Sequence, residues 1–276
     1  MSTRNPGWIL LGTAFRVHGA PEPARRDLDA LLAGFPPADG AAAVDDVELT
    51  VETEETGLTL TDGRTRWDLG EPLSSHLEYR VVNEALLRAR DRWVLHAGAV
   101  AAPGGTCLLI GESGAGKTSL TLWLWASGLR LVTDDLCPLR HGTLAPEAFP
   151  RSLHMDCEYS PRLLEKIPPR PPGFPADYYP FPGGTDAAPP PVRGLLVIER
   201  GPRPEGELAP LSQSEAAHHL LKAVIKSPTF QFEQALRDMM RLSGQVRAYR
   251  LRSATPEGAG ARALEWLSLQ ASPQEA

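Results

Sequence analysis

The sequence predicts an α/β protein, with a mixed-sheet core after about residue 90 and a smaller α+β lobe before it. Three observations lead there. A strand-like run over residues 106–110 enters a glycine-rich stretch and then helical periodicity from Lys117, the order in which an α/β unit is assembled. A second run over 129–133 ends in Asp134 and Asp135, and open α/β sheets gather their chemistry at the carboxyl ends of strands. Before residue 90 the pattern changes to period-two alternation with a hairpin turn.

The chain has 276 residues, 42% hydrophobic and 22% charged, enough apolar material for one large α/β domain or two smaller lobes. Its formal net charge is -6, whereas a polyanion-binding protein carries a basic face, so nucleic acid is not an expected partner. Positive potential is expected only locally, at a phosphate site. The three cysteines, Cys107, Cys137 and Cys157, are widely spaced and make no CxxC pair or disulfide ladder, which fits reduced thiols. Residues 1–20 lack the apolar stretch of a signal peptide, and nothing approaches the roughly 20 apolar residues of a membrane span. The expectation is a cytoplasmic protein with no membrane partner. Whether it forms a homo-oligomer stays open.

Residues 1–90 make the expected first lobe. Residues 8–11 and 14–17 read as short strands, and 47–52 alternate apolar and polar as a half-buried strand does. Residues 58–61 repeat that alternation; Asp62-Gly63 and the segment 64–67 after it signal a hairpin. Residues 77–90 have helical spacing, with Leu77, Val81, Val82, Ala85 and Leu86 along one side. The lobe shows no chemistry and reads as a structural or substrate-presenting module.

Residues 91–276 make the second. The small-apolar run over 93–101 and the run over 106–110 read as two strands joined by a tight turn at Gly104-Gly105. A helix is expected from Lys117 to Ser127, with Gly128 placed to end it. The segment 167–192, rich in proline and glycine, reads as a loop that is either an ordered lid or a linker. Residues 193–198 restart as a buried strand. Ser212 and Glu215 make a capping box that opens a helix to about Ile225, and Ser227-Pro228 starts another to about Leu242. Residues 246–251 read as a strand and 260–269 as a closing helix. Leu242-Ser243-Gly244-Gln245 looks like the signature of ABC-type ATPases, but no acid-tipped strand follows, and Gly244 explains it as a helix cap.

The chemistry concentrates in Gly111-Glu112-Ser113-Gly114-Ala115-Gly116-Lys117-Thr118, which fits the phosphate-loop pattern with a strand before it and a helix after it. Glycines let successive backbone N–H groups turn inward onto phosphate oxygens, and the helix adds the positive end of its dipole. Lys117 supplies a point charge to the β and γ phosphates, Thr118 offers a hydroxyl to Mg²⁺, and Ser119 continues the cradle. Asp134 and Asp135 are adjacent on a strand end, so they point to different sides and can take different roles. His96 sits in an apolar run, where a histidine is more often a satisfied core residue than a catalyst.

Taken together, residues 95–100, the loop 111–118 and residues 133–136 resemble the HPr kinase/phosphorylase family, and more closely its HPr-kinase-related branch. Some members of that branch occur with peptide-modifying gene clusters. His96 lies 21 positions before Lys117, and Asp134 lies 17 after it, both similar to the family spacing. The resemblance covers about residues 93–140. It implies a P-loop kinase core of the phosphoenolpyruvate-carboxykinase type, with ATP and Mg²⁺ as cofactors. It also implies Asp134 as general base toward an alcohol, Asp135 and Thr118 near the metal, and His96 near the γ-phosphate or the base. The expected acceptor is a serine of a peptide or protein, or a small-molecule alcohol. The glutamate-isoleucine-arginine-glycine-leucine-glycine signature of true HPr kinases is absent after the double aspartate, which argues against HPr itself as substrate. Glu158 occupies the region of that family's metal-side glutamate. A nucleotide-gated assembly ATPase without an acceptor, and a carboxykinase-like enzyme acting on a small acid, are the alternatives.

Overall fold

The computed structural model describes residues 7–38, 43, 45–55, 57–154, 165, 169–175, 178–182 and 187–270. The protein is mixed α/β, with mixed sheets and six helices among the described residues. It divides into two compact units, the first taking in residues 1–90, 150–155 and 170–181 and the second the remainder.

The first unit is built on a five-stranded sheet in the order β1-β2-β3-β4-β5. These strands are Trp8–Leu10, Thr13–His18, Asp45–Glu54, Gly57–Thr61 and Arg66–Leu69. Strands β2 and β3 pair in parallel while the other neighbours are antiparallel. A parallel pair needs a crossover, and helix α1 (Glu22–Leu31) lies in the segment that makes it. The sequence carries no clear signal for α1, because its inner face, Ala24, Arg25, Leu28 and Leu31, is interrupted by a charge. The Arg25 guanidinium is satisfied there, donating to the Val17 carbonyl at 2.8 Å and to Asp29 at 3.1 Å. Helix α2 (Leu73–Arg88) packs against α1, β2 and β5 with Leu77, Val81, Val82 and Ala85 inward.

The second unit starts with a surprise at Ala97. The apolar run expected as one strand is two: β6 (Arg92–His96) and β7 (Gly98–Ala102). The backbone changes partner where the Ala97 N–H donates to the Asp135 carbonyl at 2.8 Å. Strand β7 turns through residues 103–104 into β8 (Gly105–Gly111), which feeds the glycine loop and helix α3 (Lys117–Ala126). Gly128 ends that helix at φ 99°; its N–H bonds the Trp125 carbonyl and the Leu129 N–H bonds Leu124, a Schellman closure. Strands β9 (Arg130–Thr133) and β10 (Leu136–Arg140) follow, and β10 pairs antiparallel with β6.

The chain then visits the first unit, where β11 (Leu153–His154) pairs with β12 (Tyr178–Tyr179). These segments, one of them inside the proline-rich loop, fall within the 91–276 lobe expected from sequence but belong to the first unit. Back in the second unit come β13 (Val192–Arg200), β14 (Glu207–Pro210), helices α4 (Gln213–Ala223) and α5 (Phe232–Ser243), β15 (Arg247–Ser253) and helix α6 (Pro256–Gln270). The capping box of α4 is fully formed. Helix α5 starts later than Ser227-Pro228 because the Phe230 N–H closes a turn onto the Ser227 carbonyl at 3.0 Å. Gly244 caps α5 with φ -75°, so the tetrapeptide around it has a structural explanation.

The main sheet has the order β14-β15-β13-β8-β7-β9. Strands β8, β13 and β15 are mutually parallel, and β9 shares their direction because both β8 and β9 are antiparallel to β7. Alternation along β8 and β13 sends Leu108, Ile110, Leu195 and Val197 to one face, where Ala216 and Leu220 of α4 and Ala235 and Met239 of α5 complete a core. Helices α3 and α6 pack together and against β7 and β15. Among the described residues no helix is long and apolar enough to cross a membrane.

Candidate functional site

Four parallel strands therefore release their carboxyl ends, Gly111, Thr133, Arg200 and Ser253, at one edge of the sheet. A cleft of about 870 Å³ opens there. Its walls are the loop residues Ser113 to Lys117, then Thr118 and Ser119, with Asp135, His96, the end of β13, and Leu251 and residues 253–256 from β15 into α6.

The glycine loop is shaped by backbone freedom that only glycine has without strain: Gly114 and Gly116 stand at φ 74° and 96°. The Ala115 N–H closes the turn onto the Glu112 carbonyl at 3.1 Å. Gly116 is the N-cap of α3 and brings no side-chain hydrogen bond, so the first-turn N–H groups are left for an acceptor from outside the helix. Lys117 is only 7% exposed, and its Nζ donates to the carbonyls of Gly111 at 3.1 Å and Glu112 at 3.2 Å. Burial holds its pKa below the usual lysine range, and the nearby Asp135 carboxylate works against that shift.

His96 and Asp135 meet through long-range pairing. The β6–β10 ladder sets Leu136 opposite His96, and the Ala97–Asp135 backbone bond extends it by one step. The result is an ion-pair contact between His96 Nδ1 and Asp135 Oδ1 at 2.9 Å, with both side chains partly exposed. If Nδ1 carries the proton toward the carboxylate, Nε2 is left with its lone pair.

Asp134, to which the resemblance assigns the base, is only 6% exposed and is not among the residues that wall the cleft. Alternation past the end of β9 sends one aspartate inward and the other to the cleft. Glu158 and Cys157 lie outside the described residues. Glu112 and Gly111 line a second cleft, of about 810 Å³, on the α4 side of the loop.

Among the described residues no group of three or more His, Cys, Asp or Glu side chains is placed to hold a metal ion. Thr118 and Asp135 are oxygen donors on the same wall. Mg²⁺ keeps several waters and uses one or two carboxylates beside substrate phosphates. So sparse a donor set fits Mg²⁺ in company with a phosphate ligand.

Sequence reasoning missed Glu199, Arg200, His219, Lys222, Ser253 and Thr255, all lining these clefts. The signal was present: the strand-end rule applied at Asp134-Asp135 applies equally to the ends of β13 and β15. In comparisons with known proteins, no family model matches the chain, and a search of the curated proteins finds no match.

Proposed function

We propose that the protein is a Mg²⁺-dependent phosphotransferase with an HPr kinase/carboxykinase-type P-loop core, moving the γ-phosphoryl of ATP to an alcohol, foremost a serine hydroxyl of a peptide or protein. One observation carries the reading: the glycine loop, Lys117, Thr118 and the His96–Asp135 pair wall a single cleft at the carboxyl edge of the sheet. The loop amides and Lys117 hold the phosphates, with Lys117 exchanging its two loop carbonyls for phosphate oxygens. When bound, Mg²⁺ would supply positive charge that offsets the charge of the phosphates. Thr118 and Asp135 are the residues that would hold it. His96, oriented through Nδ1 by Asp135, takes the acceptor proton on Nε2. The acceptor oxygen bonds to the γ-phosphorus, the bond to the β–γ bridging oxygen breaks, and ADP leaves.

This reading moves the base from Asp134 to His96 because His96 lines the cleft, whereas Asp134 is 6% exposed and is not part of its lining. The test uses radiolabelled ATP, a library of serine peptides and small alcohols, and the variants His96→Gln and Asp134→Asn. His96→Gln is expected to lower turnover about 100-fold or more with ATP affinity kept, and Asp134→Asn to act chiefly on stability. Loss of transfer in Asp134→Asn alone, with the fold and ATP affinity intact, returns the base to Asp134. ATP bound tightly but transferred to nothing except water makes the protein a gated ATPase.

A further inference from the structure

The glycine loop has clefts on both sides. The one already described holds Lys117, Thr118 and Asp135; the other, toward α4, holds none of these. Its own wall includes Ile110, Glu112, Val197, His219, Lys222 and Ala223. The two share seven residues, among them His96, Gly114, Glu199 and Arg200. A donor in the first cleft and an acceptor in the second would therefore meet at His96 across the tip of the loop.

Charge says what the second cleft takes. Its two carboxylates are already engaged: Glu199 with Arg250 at 3.0 Å and Arg252 at 2.9 Å, and Glu112 with Lys222 at 3.0 Å. Arg200 donates only to the Gly114 carbonyl, at 3.4 Å, and makes no ion pair among the described residues. Arg250 also reaches Glu215, at 3.9 Å. Of the charged residues that line the cleft, Arg200 and Lys222 stand against Glu112 and Glu199; both carboxylates are held in ion pairs, so Arg200 is the lining charge left without an ion pair among the described residues. Burial above all, then His218, Arg250 and Lys222, hold the pKa of His219 below the usual histidine range. The floor is apolar, with Ile110, Val197 and Ile198 buried.

The rim is open, since the Lys222 and Glu112 side chains are 64% and 84% exposed. That suits a segment of chain running past the rim better than an enclosed small molecule. Resting on the phosphotransferase reading, we infer that the α4-side cleft is the acceptor site and takes an acidic polypeptide segment. Lys222 and Arg200 would contact its carboxylates while its serine hydroxyl lies at His96. Binding an acidic segment would draw Lys222 from Glu112.

The experiment compares three synthetic serine peptides, with the serine flanked by Glu and Asp, by Gln and Asn, or by Lys and Arg, at saturating Mg-ATP. The acidic peptide is expected to exceed the basic one about 10-fold or more in kcat/KM, with the neutral one between. Lys222→Gln should erase about 10-fold of that preference, acting on acceptor KM. Ala223→Trp, which fills the cleft, should raise acceptor KM for all three. Lys226→Glu, a charge change outside both clefts, serves as the control, and ATP titration of each variant reports an intact loop. Efficient transfer with no order among the peptides, or unchanged acceptor KM in both cleft variants, overturns the acceptor site and leaves the phosphotransferase standing. ATP binding with transfer to small alcohols but to no peptide overturns the acceptor site alone, and ATP binding without transfer to any peptide or alcohol fails that reading and takes the acceptor site with it.

Discussion

At the scale of single residues, the site turns on how Lys117 keeps its proton while 7% exposed. Desolvation favours the neutral amine, and the Asp135 carboxylate opposes it. The sign follows directly. In Asp135→Asn the opposing charge is gone, so Lys117 loses its proton at lower pH, and phosphate affinity, which needs the cation, is lost earlier on the alkaline side. ATP titrations from pH 7 to 10 should therefore show the alkaline limb displaced to lower pH in that variant. An unmoved limb, or one moved upward, would mean that Asp135 does not support the lysine's charge. The strand, glycine turn and helix around Lys117 were legible in the sequence because they are local, following one another in the chain. His96 was ambiguous for the opposite reason. Its neighbour Asp135 arrives by the β6–β10 ladder, across 39 positions of sequence, and no periodicity reports that pairing. The inequality of the two aspartates could be expected from alternation, but which one faces the cleft depends on where β9 ends.

At the scale of elements, those that carry their own start and stop are legible in the sequence. Helix α4 is the clearest case, with Ser212 accepting from the Glu215 N–H and the Glu215 carboxylate accepting from the Ser212 N–H. Ser212→Ala removes one of these bonds and should cost about 1 kcal/mol of stability, read as a lower urea midpoint with an unchanged slope. A loss below a few tenths would mean that α4 is held by its packing on α5 and the sheet, without help from the cap. Elements that depend on tertiary partners were harder to read. Helix α1 hides behind Arg25, whose burial is compensated by a carbonyl from β2. The break between β6 and β7 has no breaker residue; it exists because Asp135 competes for the Ala97 amide. Strand β14, only Glu207–Pro210, was not anticipated either, since its pairing with β15 supplies the order its short sequence does not.

At the scale of the whole molecule, the expectation of reduced thiols can be tested chemically. Cys107 and Cys137 are free and buried, and burial raises both thiols, Cys137 to about 12. A thiol reagent added to native protein at pH 8 should therefore modify no more than one of the three cysteines quickly, and all three after denaturation. Rapid reaction at two or more would mean that the core around β8 or β10 opens readily. The division into two units was visible as a change of pattern near residue 90, but the return of 150–155 and 170–181 to the first unit was not. Those segments pair over a long gap, and proline-rich chain carries no periodic signal. The antiparallel strand β7, inserted between β8 and β9, has a further consequence. Two interstrand steps, about 9.5 Å, separate the strand that launches the glycine turn from the strand that ends beside Asp135. If the loop takes the phosphates proposed for it, that interval sets how far a ligand must extend from the loop toward the end of β9, and a run of linked phosphates would extend further than a lone one.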